Sequence, residues 1–302
     1  MPEKISSIGG QAVIEGVMMR SPTHYATAVR TPRGRIVIQK TPFRSIIRRY
    51  RILNVPILRG AFTLVETLYI GIQSLTYSAS QAVEEEGPRK KKGKWAASIA
   101  LGVSVATALG LGLLIFFYVP LLLTEAIGLK NGIAFNLVDG GFRLVIFLLY
   151  IFAISQWKEM KRIFQYHGAE HMTIYAFESG EDLTPANARK YTTLHPRCGT
   201  SFLIVVMLVS ILVFVFLGRP ENWGDRLLRF AFIPIIGGIS FEFIKLSARA
   251  KFAKWLGPAI WPGLALQRIT TKRPTDDMIE VAIAALEACL DRQCVKLEIR
   301  SN

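Results

Sequence analysis

Charge disappears from this chain in long blocks. Residues 95–124 carry no charged side chain, and 21 uncharged residues separate Arg197 from Arg219. A hydrocarbon core about 30 Å thick is crossed by about 20 apolar helical residues, so each block predicts a membrane span. Two further spans are interrupted. One lies near 136–157, where Asp139 and Arg143 break the apolar run between Lys130 and Lys158. The other covers 227–247, where Pro234 and Gly237-Gly238 predict a kink and Glu242 falls near the end. The pattern predicts a mainly α, polytopic membrane protein with about four transmembrane helices, paired as two hairpins over 95–157 and 201–247.

The remaining segments have other periods. Residues 1–60 read as a soluble or interfacial unit with a β-hairpin. Tyr25–Val29 and Arg35–Gln39 are rich in β-formers and flank Pro32-Arg33-Gly34, which is turn chemistry. Over 60–83, Leu64, Leu68, Ile72 and Leu75 recur every three or four residues with Glu66 as the single charge. This predicts an interfacial or re-entrant helix, with a full fifth span as the alternative. It heads a segment, 61–94, that ends in a basic connector. Residues 158–200 form an insert between the hairpins. Residues 248–302 read as an interface-hugging stretch, marked by Trp255 and Trp261, followed by an amphipathic helix at 275–291 with Ile279, Ala282, Ile283, Leu286 and Leu290 on one face.

The formal charge of +15 accompanies a 51% hydrophobic composition, and the placement of that charge predicts an orientation. Residues 16–65 contain ten Lys/Arg and no acid, Arg89 to Lys94 precede the first span, and 245–273 hold seven Lys/Arg and no acid. Lys/Arg-rich flanks stay in the cytoplasm, so both termini and the 158–200 insert are expected there. The expected location is the bacterial cytoplasmic (inner) membrane, crossed several times. Basic flanks also favour anionic lipid headgroups as partners. Nucleic acid is a poorer match, because the basic residues border apolar spans. Three cysteines, two of them near the C-terminus, make no disulfide framework. The first 20 residues contain Glu3, Lys4, Glu15 and Arg20 and no apolar run of signal-peptide length.

Candidate chemistry gathers in the insert. His167-Gly-Ala-Glu170-His171 is an H-x-x-E-H pattern, and His195-Pro-Arg-Cys198 follows 24 residues after His171. Helical residues four apart share a face, so His167 and His171 can present two imidazoles to one ion. Glu170 is placed for a base or supporting role, the arrangement zinc hydrolases use in either order. His195 and Cys198 add an imidazole and a thiol on a turn before a span. The four metal candidates are His167, His171, His195 and Cys198, with Glu170 as candidate general base. Imidazole and thiolate suit zinc, ahead of iron or manganese as other divalent metals. Four protein ligands would close a tetrahedral structural site, whereas three would leave a position for water. Glu15, Glu178 and Glu242 are weaker carboxylate candidates, and His24 reads as a hairpin residue. Gly9-Gly10-Gln11 lacks the spacing of a nucleotide loop and reads as a structural motif. Gln11 and Glu15, four apart, could line a polar site.

Four segments together resemble the YqhQ family: Gly9 to Arg20 (GGQAVIEGVMMR), His167 to His171 (HGAEH), Leu194 to Ser201 (LHPRCGTS), and Gln267 to Thr271 (QRITT). The resemblance runs from residue 6 to about 290. It implies a bacterial membrane protein and a metal-dependent enzyme with no established reaction, and it supplies no substrate.

Two functions follow from these residues. One is a membrane-embedded metal-dependent hydrolase, with zinc as the expected metal, working at the cytoplasmic face on a lipid headgroup, a membrane peptide or an amphiphilic metabolite. The other is a non-enzymatic transporter, channel or membrane assembly factor with a structural metal knot. Asp139 and Glu242 would then line a polar path, since ionisable groups inside membranes are rarely idle.

Overall fold

The computed structural model describes residues 8–82, 94–247 and 261–290. It is mainly helical, with one antiparallel sheet ordered β1-β2-β3-β4. The strands are β1 (Gly9–Val13), β2 (Gly16–Arg20), β3 (His24–Arg30) and β4 (Ile36–Pro42). The expected hairpin is β3–β4, with Val29 opposite Val37 and Gly34 in the left-handed region at φ 79°. Sequence reading missed the first hairpin, β1–β2. Its tight turn puts Glu15 at φ 52°, a conformation the residue type does not announce.

The sheet is covered on both faces, as strand alternation requires. Val17 and Met19 of β2 and Ala26 and Ala28 of β3 point into the larger core. That core is completed by α6 (Lys158–Glu178) and α12 (Asp276–Cys289). Met278, Ile279 and Leu286 of α12 are fully buried there, each stabilising the fold by roughly 1.5–3 kcal/mol. The intervening positions, Met18 and Tyr25, face α2 (Leu58–Ala82) and pack with its Ile70. Thr27 donates to Ser74 of α2 at 3.1 Å.

Before α2 come a short turn of helix, α1 (Ile46–Arg49), and a 3₁₀ turn at Arg51–Asn54. The face α2 turns inward is small and polar: Gly60, Glu66, Gly71, Ser74 and Ser78 are buried. Leu68 and Leu75 of the expected apolar stripe are exposed, with Val65 and Tyr69 beside them. Half of the stripe therefore points away from the protein, whereas Leu64 and Ile72 are half-buried, Leu64 against Gly237. Glycine and serine allow the sheet and the later helix α10 (Ile233–Ser247) to approach closely on the other side.

Among the described residues four helical stretches are long and apolar enough to cross a membrane: Gly102–Ile127, Gly132–Ile154, Gly199–Leu217 and Trp223–Ser247. The first joins α3 (Lys94–Leu113) to α4 (Val119–Ile127) through a π-turn at Leu114–Tyr118, just before Pro120. Proline cannot donate to the carbonyl one turn back, and a π-turn absorbs that loss. The second is α5 (Gly132–Ile154). A short helix α7 (Pro185–Ala188) lies in the insert, and α8 (Gly199–Leu217) is the third span. The fourth breaks between α9 (Trp223–Ala231) and α10 (Ile233–Ser247), directly before Pro234. The expected kink is thus proline's alone. Gly237 and Gly238 stay helical and form a contact surface, where a Cβ on Gly238 would lie 2.3 Å from the Ile57 carbonyl oxygen.

Residues 261–270 form α11. Leu266 packs with Phe147 and Ile151 of α5 and Ile204 of α8, so α11 lies against the ends of the spans nearest the sheet. The basic connector within 83–93, most of the Trp255–Trp261 stretch and Cys294 fall outside the described residues.

Candidate metal centre

Helix α6 is buried on nearly every side from Phe164 to Ala176, and its sequence explains how. At Gly168 the backbone of the segment after α11 comes so close that a Cβ would lie 2.1 Å from the Lys272 carbonyl oxygen. The Lys272 N–H donates to the Phe164 carbonyl at 2.9 Å, docking that segment on α6. Ala169 faces the sheet core. Glu170 is buried against β1, where a Cβ on Gly10 would lie 2.8 Å from its side chain. Each small residue of the motif marks a close approach that a larger one would block.

These contacts place His167, His171 and Cys198 together, with one donor atom from each within 4.8 Å of the others. His167 Nε2 lies 3.1 Å from Cys198 Sγ. The cysteine is also the N-cap of α8, its sulfur 3.4 Å from the Thr200 N–H. His167 Nδ1 faces the Thr270 carbonyl at 2.9 Å, and His171 Nδ1 faces the Thr193 carbonyl. A carbonyl only accepts, so both Nδ1 atoms carry a proton, and in the neutral rings both Nε2 atoms keep a lone pair. Backbone carbonyls holding the far nitrogen are the usual outer support of metal-bound imidazoles. Two imidazole nitrogens and a sulfur, so oriented, are chemically suited to a zinc-type ion.

His195 stands beside this group rather than in it. Its ring centroid is 5.4 Å from that of His171 and 4.7 Å from that of Tyr175. Its Nδ1 accepts from the Arg197 N–H at 3.3 Å, so in the neutral ring the proton is on Nε2, opposite to the other two. Burial pushes His195 down to about 3, helped by the charges of His171 and Arg197, so it stays neutral. The His195 backbone is clamped at both ends by Gln267, which accepts from its N–H at 2.7 Å and donates to its carbonyl at 2.8 Å. Gln267 also donates to Ser201 Oγ at 2.8 Å.

Glu170 is one helical turn from His167 and outside the three-donor group. Burial pushes its carboxyl up to about 7, against the pull of the His167 charge and a hydrogen bond from the Gly10 N–H. The weaker carboxylate candidates lie elsewhere, each in an ion pair. Glu15 pairs with Arg162, Glu178 with Arg197, and Glu242 with Arg59. His24 opens β3 next to Thr23, and Gln11 reaches α2, where a Cβ on Gly71 would meet it. Sequence reasoning missed the supports Gln267, Thr270 and Thr193. The Gln267–Thr271 segment, which offers no ligand of its own, was the signal for two of them, and Thr193 had none.

A second polar cluster lies within the spans. Asp139 and Arg143, one turn apart on α5, pair at 2.9 Å, and Arg229 of α9 approaches the same carboxylate at 3.8 Å. Arg229 also donates to Asn136 and to the Gly218 carbonyl. Asp139 is therefore enclosed in an ion network. Glu242, paired with Arg59, lies near the far end of α10.

The fold and site define a polytopic helical membrane protein with a His/His/Cys cluster seated between the spans and a small sheet-containing unit. The chain belongs to the family described as protein of unknown function (DUF1385), which it matches over residues 55–292. It is also 32% identical over 291 residues to "Uncharacterized protein YqhQ" of Bacillus subtilis (strain 168), covering 93% of this chain and 92% of that one. No solved structure matches the chain.

Proposed function

We propose that the protein is a zinc-dependent hydrolase of the bacterial cytoplasmic membrane, with its site and both termini on the cytoplasmic side. His167, His171 and Cys198 would hold the ion. The observation that carries this reading is the three-donor group with His195 beside it in the opposite tautomer. Three protein ligands leave a fourth position open, as catalytic zinc requires. A zinc ion held there supplies Lewis acidity. In the proposed reaction the oxygen of a water molecule bonds to the ester, phosphoester or amide centre of a membrane-anchored substrate, and the bond from that centre to the leaving oxygen or nitrogen breaks. The water's proton passes to Glu170 and then to the leaving group. His195, neutral and protonated on Nε2, donates a hydrogen bond to substrate oxygen. The basic excess on the 16–65 and 245–273 segments supports the orientation.

Zinc content and turnover test the reading together. About one zinc per chain is expected after metal-replete purification. Glu170→Gln should keep the metal and lose release of headgroup or fatty acid from liposomes of bacterial lipid. Absence of metal would sink the proposal. The proximity of His195 to His171 supports a second reading, a closed structural site. In cobalt-substituted protein, four protein ligands with no exchangeable water would favour that reading and exclude hydrolysis.

A further inference from the structure

The bundle end that carries the His/Cys cluster also carries a cavity of about 400 Å³, formed by α1 and the 3₁₀ turn, the first turns of α2 and the last turns of α10. Arg48, Asn54, Arg59, Thr63, Phe241 and Lys245 line it. Among the described residues no carboxylate is in the lining. Arg59 is matched by Glu242, which grips it through two hydrogen bonds. Neither Arg48 nor Lys245 has a carboxylate partner among the described residues. Glu66, which accepts from the lining Ser45 at 3.0 Å, is matched by Arg20 at 3.4 Å, so among the described residues Arg48 and Lys245 leave two positive charges in excess at this wall.

The depth of the cavity follows from α10. Lys245 is in the last turn of a helix whose preceding residues are apolar enough to span, so the opening falls where hydrocarbon gives way to headgroups. The basic segment that forms one wall, residues 45–58, also exposes large apolar side chains. Ile46, Tyr50, Ile52, Val55 and Leu58 are all exposed, Ile52 at 78%. Apolar side chains beside arginines suit a segment that dips into acyl chains while its cations meet headgroup phosphates. A soluble anion would need the cations and Asn54 but not the exposed apolar side chains of the same segment.

We infer that this cavity binds the phosphate of an anionic lipid headgroup from the leaflet on the side of the sheet, with Arg48 and Lys245 as the charge partners. This does not rest on the hydrolase reading. It turns a general preference of basic flanks for anionic lipid into one site with named residues.

The test is retention of phosphatidylglycerol by the full-length protein, counted by native mass spectrometry after equilibration in mixed phosphatidylglycerol and phosphatidylcholine micelles. The wild type is expected to retain phosphatidylglycerol selectively. The R48Q/K245Q variant should bind it about thirtyfold more weakly, as two basic residues at an anionic surface roughly imply. R48K/K245R should retain it, which separates loss of charge from loss of fold. R33Q/R35Q, which removes the same charge at the β3–β4 turn, should also retain it. Unchanged retention by R48Q/K245Q, or equal loss in R33Q/R35Q, would overturn the site. Displacement of the lipid by equimolar inorganic phosphate would assign the cavity to a soluble anion and overturn the lipid assignment.

Discussion

Glu170 accepts a hydrogen bond from the backbone N–H of Gly10, and Gly10 has no Cβ because that carboxyl occupies the space where one would be. The contact locks the first strand onto the helix that carries His167 and His171. Gly10→Ala should therefore destabilise the protein by about 1–3 kcal/mol, the usual range for overpacking. Shortening the acid by one methylene in G10A/E170D should recover part of that loss. Chemical denaturation of the four proteins in the cycle measures the coupling. Strictly additive effects would mean that the two side chains do not compete for the same space.

Gln267 holds both backbone polar groups of His195, and the same turn supplies Cys198. Gln267→Leu leaves the His195 N–H buried without a partner, at a cost of about 1–3 kcal/mol, and leaves its carbonyl with only the Cys198 N–H at 3.2 Å. If the cluster holds zinc, loosening this turn should also weaken affinity by about 10–100-fold, as is typical for losing an outer support. Competition with a chromogenic chelator reads that change directly. Wild-type affinity in Q267L would separate the clamp from the metal site.

Asp139 stands between Arg143 and Arg229 inside the bundle. Asp139→Leu leaves two buried guanidinium groups without their shared anion, and removing one partner of a buried pair costs about 3–5 kcal/mol. The D139L/R143L variant should be more stable than D139L alone, because Arg229 keeps Asn136 and the Gly218 carbonyl. Thermal unfolding in a neutral detergent compares them. A D139L protein as stable as wild type would show that the network contributes nothing to folding.

Orientation is tested with single cysteines placed in a background lacking the native three. A reporter at position 180, in the loop after α6, should resist membrane-impermeant maleimide added from outside. One at position 222, which caps α9, should react. The opposite pattern would invert the proposed topology and place the His/Cys cluster outside the cell.

The membrane character, the four spans, the β3–β4 hairpin and the α12 stripe were legible in the sequence because each depends on a local quantity. The length of an uncharged run decides whether a helix can span, and period and turn chemistry decide the rest. The candidate donors were legible for a similar reason, since His167 and His171 share a helix face wherever that helix lies. What surrounds them was not. The outward turn of Leu68 and Leu75 depends on which face of α2 the sheet and α10 can approach, and glycine and serine on the other face made that choice. The separation of His195 from the three-donor group depends on an N–H from Arg197 and a clamp from Gln267, 72 residues away. The joining of Gly10 to Glu170 needs two elements 160 residues apart to pack. Such contacts leave no periodic trace along the chain, so only the tertiary structure decides which nitrogen carries the proton and which side chain is left facing the site.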